Sequence, residues 1–408
     1  MNLSVGIVGL PNVGKSTLFN ALLKKSASAK ASAGQAGHAI TANYPFTTIE
    51  PNVGVVEVPD KRLQKLAEII ANENPKSETR NPKQILNTND PHYAEASRGK
   101  QNSGEILNQV QDDRQGWPPI VPAVVQFVDI AGLVKGAHMG EGLGNKFLSH
   151  IREVDAIVFV VRDFKSEDII NTGENPKDDL EVLKTELLMK DLETVEKRLD
   201  ILERELKPLG PNDPKRLTLA VMEHSKKLVA EGKWLGDELT EEDLVKISEL
   251  SLLSAKKIIV VVNSDESDLS QSSEIEGAIR ISAKLEEDLA VLSPDEQKDY
   301  LKELGIEESG LARLATQAYE VLGLETFLTA GPKEVRAWTI KKGSLAPQAA
   351  GVIHSDFERG FIAADTVTFD KFVEVGGWKE ARAKGLVKTI GKSEVMPQDC
   401  VVEFKFSV

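Results

Sequence analysis

Gly9-Leu10-Pro11-Asn12-Val13-Gly14-Lys15-Ser16 follows the apolar run Leu3-Ser4-Val5-Gly6-Ile7-Val8 and leads directly into Thr17-Leu18-Phe19-Asn20-Ala21-Leu22. The eight residues match G-x-x-x-x-G-K-[ST], a pattern that carries meaning when it joins a strand to a helix, as it does here. Backbone N–H groups of such a loop, with the positive end of the helix behind them, surround phosphate oxygens. Lys15 adds a point charge and Ser16 a hydroxyl for Mg²⁺; Asn12, Val13, Gly14 and Thr17 complete the expected phosphate contacts. The stretch predicts an α/β fold that binds a nucleoside triphosphate.

Outward from this loop, short β-rich runs recur at residues 53–58, 123–128, 156–161, 258–262 and 279–282, separated by helical patterns. That alternation predicts a mostly parallel sheet with helices on its faces. Between the runs at 156–161 and 258–262 the period changes. Leu188, Leu192, Val195, Leu199, Leu202 and Leu206 lie on one stripe of a long charged helix. The turn Leu209-Gly210-Pro211-Asn212-Asp213-Pro214 breaks it. A second amphipathic helix carrying Leu217, Val221 and Leu228 follows, and Thr240-Glu241-Glu242-Asp243 opens a third. The expected organisation is a nucleotide-binding domain over 1–177 and 256–323, an inserted helical hairpin over 178–255, and a small mixed α/β domain over 324–408. Polar stretches near 24–43 and 72–115 read as surface insertions.

Two more segments carry chemistry. Asp129-Ile130-Ala131-Gly132 closes an apolar strand, so Asp129 is expected to reach Mg²⁺ through water and the Gly132 N–H to approach the γ-phosphate. Thr48, in Pro45-Phe46-Thr47-Thr48, lies where a switch loop supplies a metal-binding hydroxyl. Ser16, Thr48 and Asp129 thus form a set of hard oxygen ligands suited to Mg²⁺. The run at 258–262 leads into Val262-Asn263-Ser264-Asp265-Glu266, where switch GTPases carry Asn-Lys-x-Asp. The Lys is absent and Glu266 stands for the Asp, which displaces the two-pronged guanine contact and opens the site to adenine; a competing frame takes Asp265 as the acceptor. Ser282-Ala283-Lys284 supplies the last base-side loop, so Asn263, Ser264, Glu266, Ser282 and Ala283 are the candidate base-side residues. After Gly132, Leu133 stands where Ras-like enzymes carry a water-orienting Gln. His138 and Glu141, in the glycine-rich stretch beyond it, invite a general-base role, but phosphoryl transfer depends more on positioning and charge than on strong bases.

A chain of 408 residues exceeds one usual core, so two or three domains are expected. No uncharged apolar stretch approaches the ~20 residues that cross a bilayer, and the N-terminus reads as a core strand rather than a signal peptide, so a cytoplasmic protein without membrane association is expected. Cys400 is the only cysteine, which excludes intrachain disulfides and thiolate-rich metal sites. The formal net charge of −14 argues against the whole molecule being a non-specific polyanion binder, and no sequence-specific DNA partner is expected. Residues 324–408, with 12 Lys and Arg against 11 Asp and Glu, are near neutral.

The chain resembles the YchF family of Obg-related P-loop proteins in six segments: 9–16, 45–52, 129–136, Gly140-Glu141-Gly142-Leu143-Gly144-Asn145, Asn263-x-x-Glu266, and 330–340. The resemblance implies a P-loop domain interrupted by a coiled-coil-like helical domain, then a C-terminal TGS domain of β-grasp shape. It also implies a slow ATPase that favours ATP over GTP and binds the ribosome through its large subunit. A family histidine implicated in hydrolysis corresponds to Asn171, at the end of Phe164-Lys165-Ser166-Glu167-Asp168-Ile169-Ile170; an amide orients water but does not titrate near neutral pH. Thr47 stands where many members carry cysteine, and the 24–43 insertion lengthens the switch before Thr48. Lys15, Gly132 and Asn171 are therefore the candidate catalytic set.

Two other readings remain: an Obg-type GTPase, and a ribosome or RNA adaptor that binds nucleotide with negligible hydrolysis, to which Leu133 and Asn171 point. Asn12 occupies the loop position that in related NTPases helps hold a monovalent cation, so K⁺ is a candidate second cation, supplying the charge of an arginine finger.

Overall fold

The computed structural model describes residues 3–24, 53–73, 117–130, 143–164, 175–208, 210, 213–269 and 271–407. They form two compact units, one of residues 1–59, 123–325 and 339–342, the other of residues 60–122, 326–338 and 343–408. The described residues of the helical hairpin therefore group with the first unit, and residues 60–73 and 117–122, between its strands 53–57 and 124–129, group with the second.

In chain order, β1 (Ser4–Gly9) is followed by α1 (15–24), β2 (Val53–Glu57), α2 (Lys61–Glu73), β3 (Ile120–Val121), β4 (Val124–Asp129), α3 (Leu143–Glu153) and β5 (Ala156–Asp163). The helical region comprises α4 (Pro176–Leu206), α5 (Lys215–Ala230), α6 (Leu235–Glu238) and α7 (Glu241–Lys246). After it come β6 (Lys257–Ser264), β7 (Ile279–Ile281), α8 (Ala283–Leu289), α9 (Pro294–Glu303) and α10 (Gly310–Val321).

The sheet of the first unit has the order β2-β4-β1-β5-β6-β7. Only the β2–β4 pair is antiparallel; β4, β1, β5, β6 and β7 run parallel. Strands buried on both faces read as near-continuous apolar runs, as in Ile157–Val161, all fully buried. Parallel register aligns the carboxyl ends, so Gly9, Asp129, Asp163 and Ser264 emerge along one edge. Ligands of open α/β sheets bind at such an edge.

Helix α4 begins at an Asn175 cap whose side chain accepts from the Asp178 N–H, with Pro176 in the first turn. Its leucine stripe is buried at Leu188, Val195, Leu199, Leu202 and Leu206. Asp191, on the same helix and fully buried, accepts from the N–H groups of Leu253 and Ser254 at 2.9 and 2.7 Å and from the Ser254 hydroxyl at 2.6 Å. It fixes the long helix to the segment leading into β6. Trp234 meets the ring of Phe159 edge-on and donates its indole N–H to the Lys256 carbonyl at 2.7 Å.

The second unit is built on a mixed sheet with β8 (Leu324–Ala330), β9 (Val335–Lys341), β10 (Phe361–Thr368), β11 (Lys388–Ile390) and β12 (Cys400–Phe406), in the order β11-β10-β12-β8-β9-β3. Helices α11 (Ala346–Ile353), α12 (Ser355–Arg359), α13 (Phe369–Val375) and α14 (Trp378–Ala383) accompany it. Phe327 stacks with Trp338 and meets Phe404 edge-on, giving this unit its own aromatic core. Arg62, at the start of α2, reaches both oxygens of Asp60 and donates to Thr326 Oγ1 at 2.9 Å and to Asp399. The buried residues Leu63, Leu66, Ala67, Ile69 and Ile70 of α2 face inward, and α2 packs on α13 and β3.

Candidate nucleotide site

The loop between β1 and α1 owes its shape to two glycines. A side chain on Gly9 would meet the Val160 carbonyl at 2.5 Å, so β5 passes too close for any other residue. Gly14 has φ +92°, and a side chain there would meet Asn263 Nδ2 at 2.1 Å. Asn12 is also left-handed, with φ +63°, a conformation that asparagine tolerates better than most residues. Asn12 and Ser16 are exposed, whereas Val13 is buried.

Lys15 is only 8 % exposed. Its ammonium donates to the Gly9 carbonyl at 2.9 Å and the Leu10 carbonyl at 2.7 Å, both neutral acceptors. Burial pushes its pKa down to about 8, and the Asp129 charge pulls it part of the way back. Asp129, at the end of β4 and in register with Ile7, is pushed above the usual carboxylate range by burial, against the pull of Lys15. A cation and an anion, each destabilised by desolvation, thus face one site: an anionic phosphate would restore the first and a metal ion the second.

Among the described residues no group of three or more His, Cys, Asp or Glu side chains surrounds a common metal position. Ser16 and Asp129 offer a hydroxyl and a carboxylate, and this short, hard-oxygen set fits Mg²⁺, which binds one or two protein ligands and takes the rest from phosphates and water. It does not fit zinc, which wants nitrogen or sulfur.

The base-side loops converge on the same edge. Asn263 is buried, and both ends of its side chain are held by protein: Nδ2 donates to the Val13 carbonyl at 2.9 Å, and Oδ1 accepts from the Ala283 N–H at 3.0 Å. It joins phosphate loop, β6 and α8, which positions the base-side loops, and the second N–H of its amide is not used by these two bonds. Ser282 caps α8, its Oγ accepting from the Leu285 N–H at 3.3 Å. Ser264 is 3 % exposed, and its Oγ has no hydrogen-bond partner. Glu266 is half-buried at the start of a short 3-10 turn, Glu266–Asp268, which exposed Asp265 precedes without a side-chain capping bond. Thr17 lies half-buried in the first turn of α1. Thr48, Gly132, Leu133, His138, Glu141 and Asn171 lie outside the described residues.

One feature of this edge escaped the sequence reading. Arg280 sits in β7 between two buried isoleucines and pairs with Asp163 at 2.7 Å. The signal was there, a charge inside a three-residue apolar run, but its partner lies two strands away.

Comparison with known proteins places this geometry. Residues 4–197 match the family described as 50S ribosome-binding GTPase, and residues 324–407 match YchF-GTPase_C, described as a protein of unknown function. The chain is 41 % identical to the ribosome-binding ATPase YchF of Bacillus subtilis strain 168, over the full length of both. The chain belongs to the YchF family. The Escherichia coli O157:H7 ribosome-binding ATPase YchF is 38 % identical, again over all of both chains. The solved Schizosaccharomyces pombe YchF GTPase superposes with a TM-score of 0.75 at 33 % identity, covering 99 % of this chain and 98 % of that one. The YchF fold is thus a P-loop domain carrying mixed α/β sheets, joined to a C-terminal domain. Among the described residues no helix is long and apolar enough to cross a membrane.

Proposed function

We propose that the chain is a ribosome-binding ATPase that acts as a nucleotide-dependent switch. The observation that carries the reading is Lys15, a buried cation held by two neutral carbonyls and facing Asp129 at the carboxyl edge of a parallel sheet. Full-length similarity to proteins named ribosome-binding ATPases supports the ribosome and the reaction. In this reading Lys15 neutralises phosphate charge, Ser16 and Thr48 directly and Asp129 through water would hold Mg²⁺, which would supply positive charge beside the phosphates, and the Gly132 N–H meets the γ-phosphate oxygens. Asn171 orients the attacking water, and Asn12 holds K⁺.

Glu266 in place of Asp, with Ser264 in place of Lys, supports ATP over GTP. The opposite preference is favoured by names: the family matched by residues 4–197 is described as a GTPase, and so is the S. pombe relative. The ribosomal partner is the large subunit, the compartment is the cytoplasm, residues 178–255 form the inserted helical domain and residues 324–408 a TGS domain. The test is competition of ATP and GTP against a labelled nucleotide, followed by co-sedimentation with separated ribosomal subunits. Tighter GTP binding would overturn the ATP reading, and pelleting with the small subunit alone would overturn the large-subunit assignment.

A further inference from the structure

Arg280 is 9 % exposed, and its Nη2 meets Asp163 Oδ2 at 2.7 Å. Its Nε and Nη1 have no hydrogen-bond partner, so among the described residues the Asp163 carboxylate is the acceptor that offsets burial of the guanidinium. The two residues belong to strands on opposite sides of β6. Val262 of β6 is opposite Arg280, and Ser264 is opposite Asp163. Neighbours in register, and residues two apart on one strand, share a face of the sheet. Asp163, Val262, Ser264 and Arg280 therefore lie on one face, and the ion pair crosses the last turn of the pleat of β6, where Ser264 is buried without a partner for its hydroxyl. The next residues in the chain are Asp265 and Glu266, the two candidate base acceptors. On the opposite face Asn263 already ties the same strand end to the phosphate loop.

We infer that the Arg280–Asp163 pair is a clasp that positions the base-reading turn Asp265–Asp268, making Arg280 and Asp163 positioning residues for the choice of base. Asn263 fixes β6 relative to the phosphates, and the clasp fixes the direction in which the chain leaves β6 toward Glu266. Phosphate binding depends on Lys15 and the loop N–H groups and does not pass through the clasp. The inference rests on the reading of Glu266 as the base acceptor.

The test measures affinity for ATP, GTP and inorganic tripolyphosphate, the last as a phosphate-only probe, in wild type, Asp163→Asn, Arg280→Met and Arg280→Lys, with thermal unfolding followed by circular dichroism. The expected result is a fall in the ATP:GTP affinity ratio of about fivefold or more in Asp163→Asn and Arg280→Met, the coupling typical of residues in one network. Tripolyphosphate affinity stays at the wild-type value, and Arg280→Lys, which keeps the charge, recovers most of the ratio. An unchanged ratio in folded variants overturns the inference. So does a parallel fall for all three probes, which would make the pair merely structural. A wild-type ratio near one fails earlier, at the Glu266 reading, and takes the inference with it.

Discussion

The side-chain amide of Asn263 donates to the Val13 carbonyl at 2.9 Å, tying the end of β6 to the middle of the phosphate loop. The same side chain accepts from the Ala283 N–H, so one residue holds three chain segments whose relative placement decides whether base and phosphates fit together. Asn263→Ala leaves a buried carbonyl and a buried N–H unpaired, at about 1–3 kcal/mol each. The expected result is a lowered melting temperature together with at least tenfold weaker nucleotide binding, read by calorimetry. Normal affinity in a folded Asn263→Ala protein would remove the three-way tie from the account.

Lys15 sets function against stability. Its pKa falls from 10.5 to about 8 in the fold, so the nucleotide-free folded form binds fewer protons than the unfolded chain between those values, and stability rises with pH across that window. At pH 7 the buried charge is a burden. Lys15→Met is therefore expected to raise nucleotide-free stability at pH 7 by about 1–3 kcal/mol, with the gain shrinking as pH climbs from about 8 toward 10.5. The same variant loses at least ~2 kcal/mol of ATP binding. Denaturant titrations at several pH values and a binding isotherm check both halves; unchanged ATP affinity would undo the phosphate-loop assignment.

Glu266→Asp shortens the acceptor by one methylene and is expected to move preference toward GTP, more so with Lys introduced at Ser264. Because Ser264 is buried, the lysine has to extend out of the sheet edge, and the single variant is the cleaner measurement. If both keep the parent ATP:GTP ratio, base choice is made by other groups.

Asn12 has a conformational reason to be asparagine, its positive φ, besides the proposed hold on K⁺. Asn12→Gly separates the two by keeping the backbone freedom and deleting the amide. Hydrolysis is expected to run faster in K⁺ than in Na⁺ at equal ionic strength in the wild type, and at equal rates in Asn12→Gly and Asn12→Ala. Equal wild-type rates in the two salts would reduce Asn12 to its backbone role.

Asp191→Ala strands two backbone N–H groups and a hydroxyl inside the first unit, for an expected loss of about 3 kcal/mol by urea denaturation. Burial pushes this carboxyl up, opposed by Ser254, Leu253 and Arg152, so the folded form binds more protons than the unfolded chain. Its contribution is accordingly complete below the ordinary value of 3.8 and declines as pH rises through the folded value. A loss under 1 kcal/mol for Asp191→Ala would show that solvent reaches these groups.

Much of this was legible because the signals are local. The phosphate loop, the parallel strands and the leucine stripe of α4 follow from spacing within a few dozen residues. Asp191 was hidden, since an aspartate on a charged helix looks solvated until the segment 62 positions on arrives to donate to it. The Arg280–Asp163 pair spans two strands and has no local pattern. Leu217, expected on the inner face of α5, is 63 % exposed, because the buried set there is Met222, Ser225, Leu228 and Val229. Ser282 and Asn263, read from the sequence as nucleotide neighbours, also have structural parts that no local pattern announced: Ser282 Oγ caps α8 and Asn263 ties the loops together.

The grouping of α2 and β3 with the C-terminal strands bears on how the polypeptide can be cut. Severing it after Gly323 would look, on a linear map, like the removal of a tail. It would also take away α13, against which α2 packs, the Asp399 and Thr326 partners of Arg62, and the β9 neighbour of β3. A helix with five buried apolar residues would be left bare in the middle of the remaining chain. Insolubility of such a fragment would then report a torn core, and any activity it lost could not be credited to the missing C-terminal residues alone.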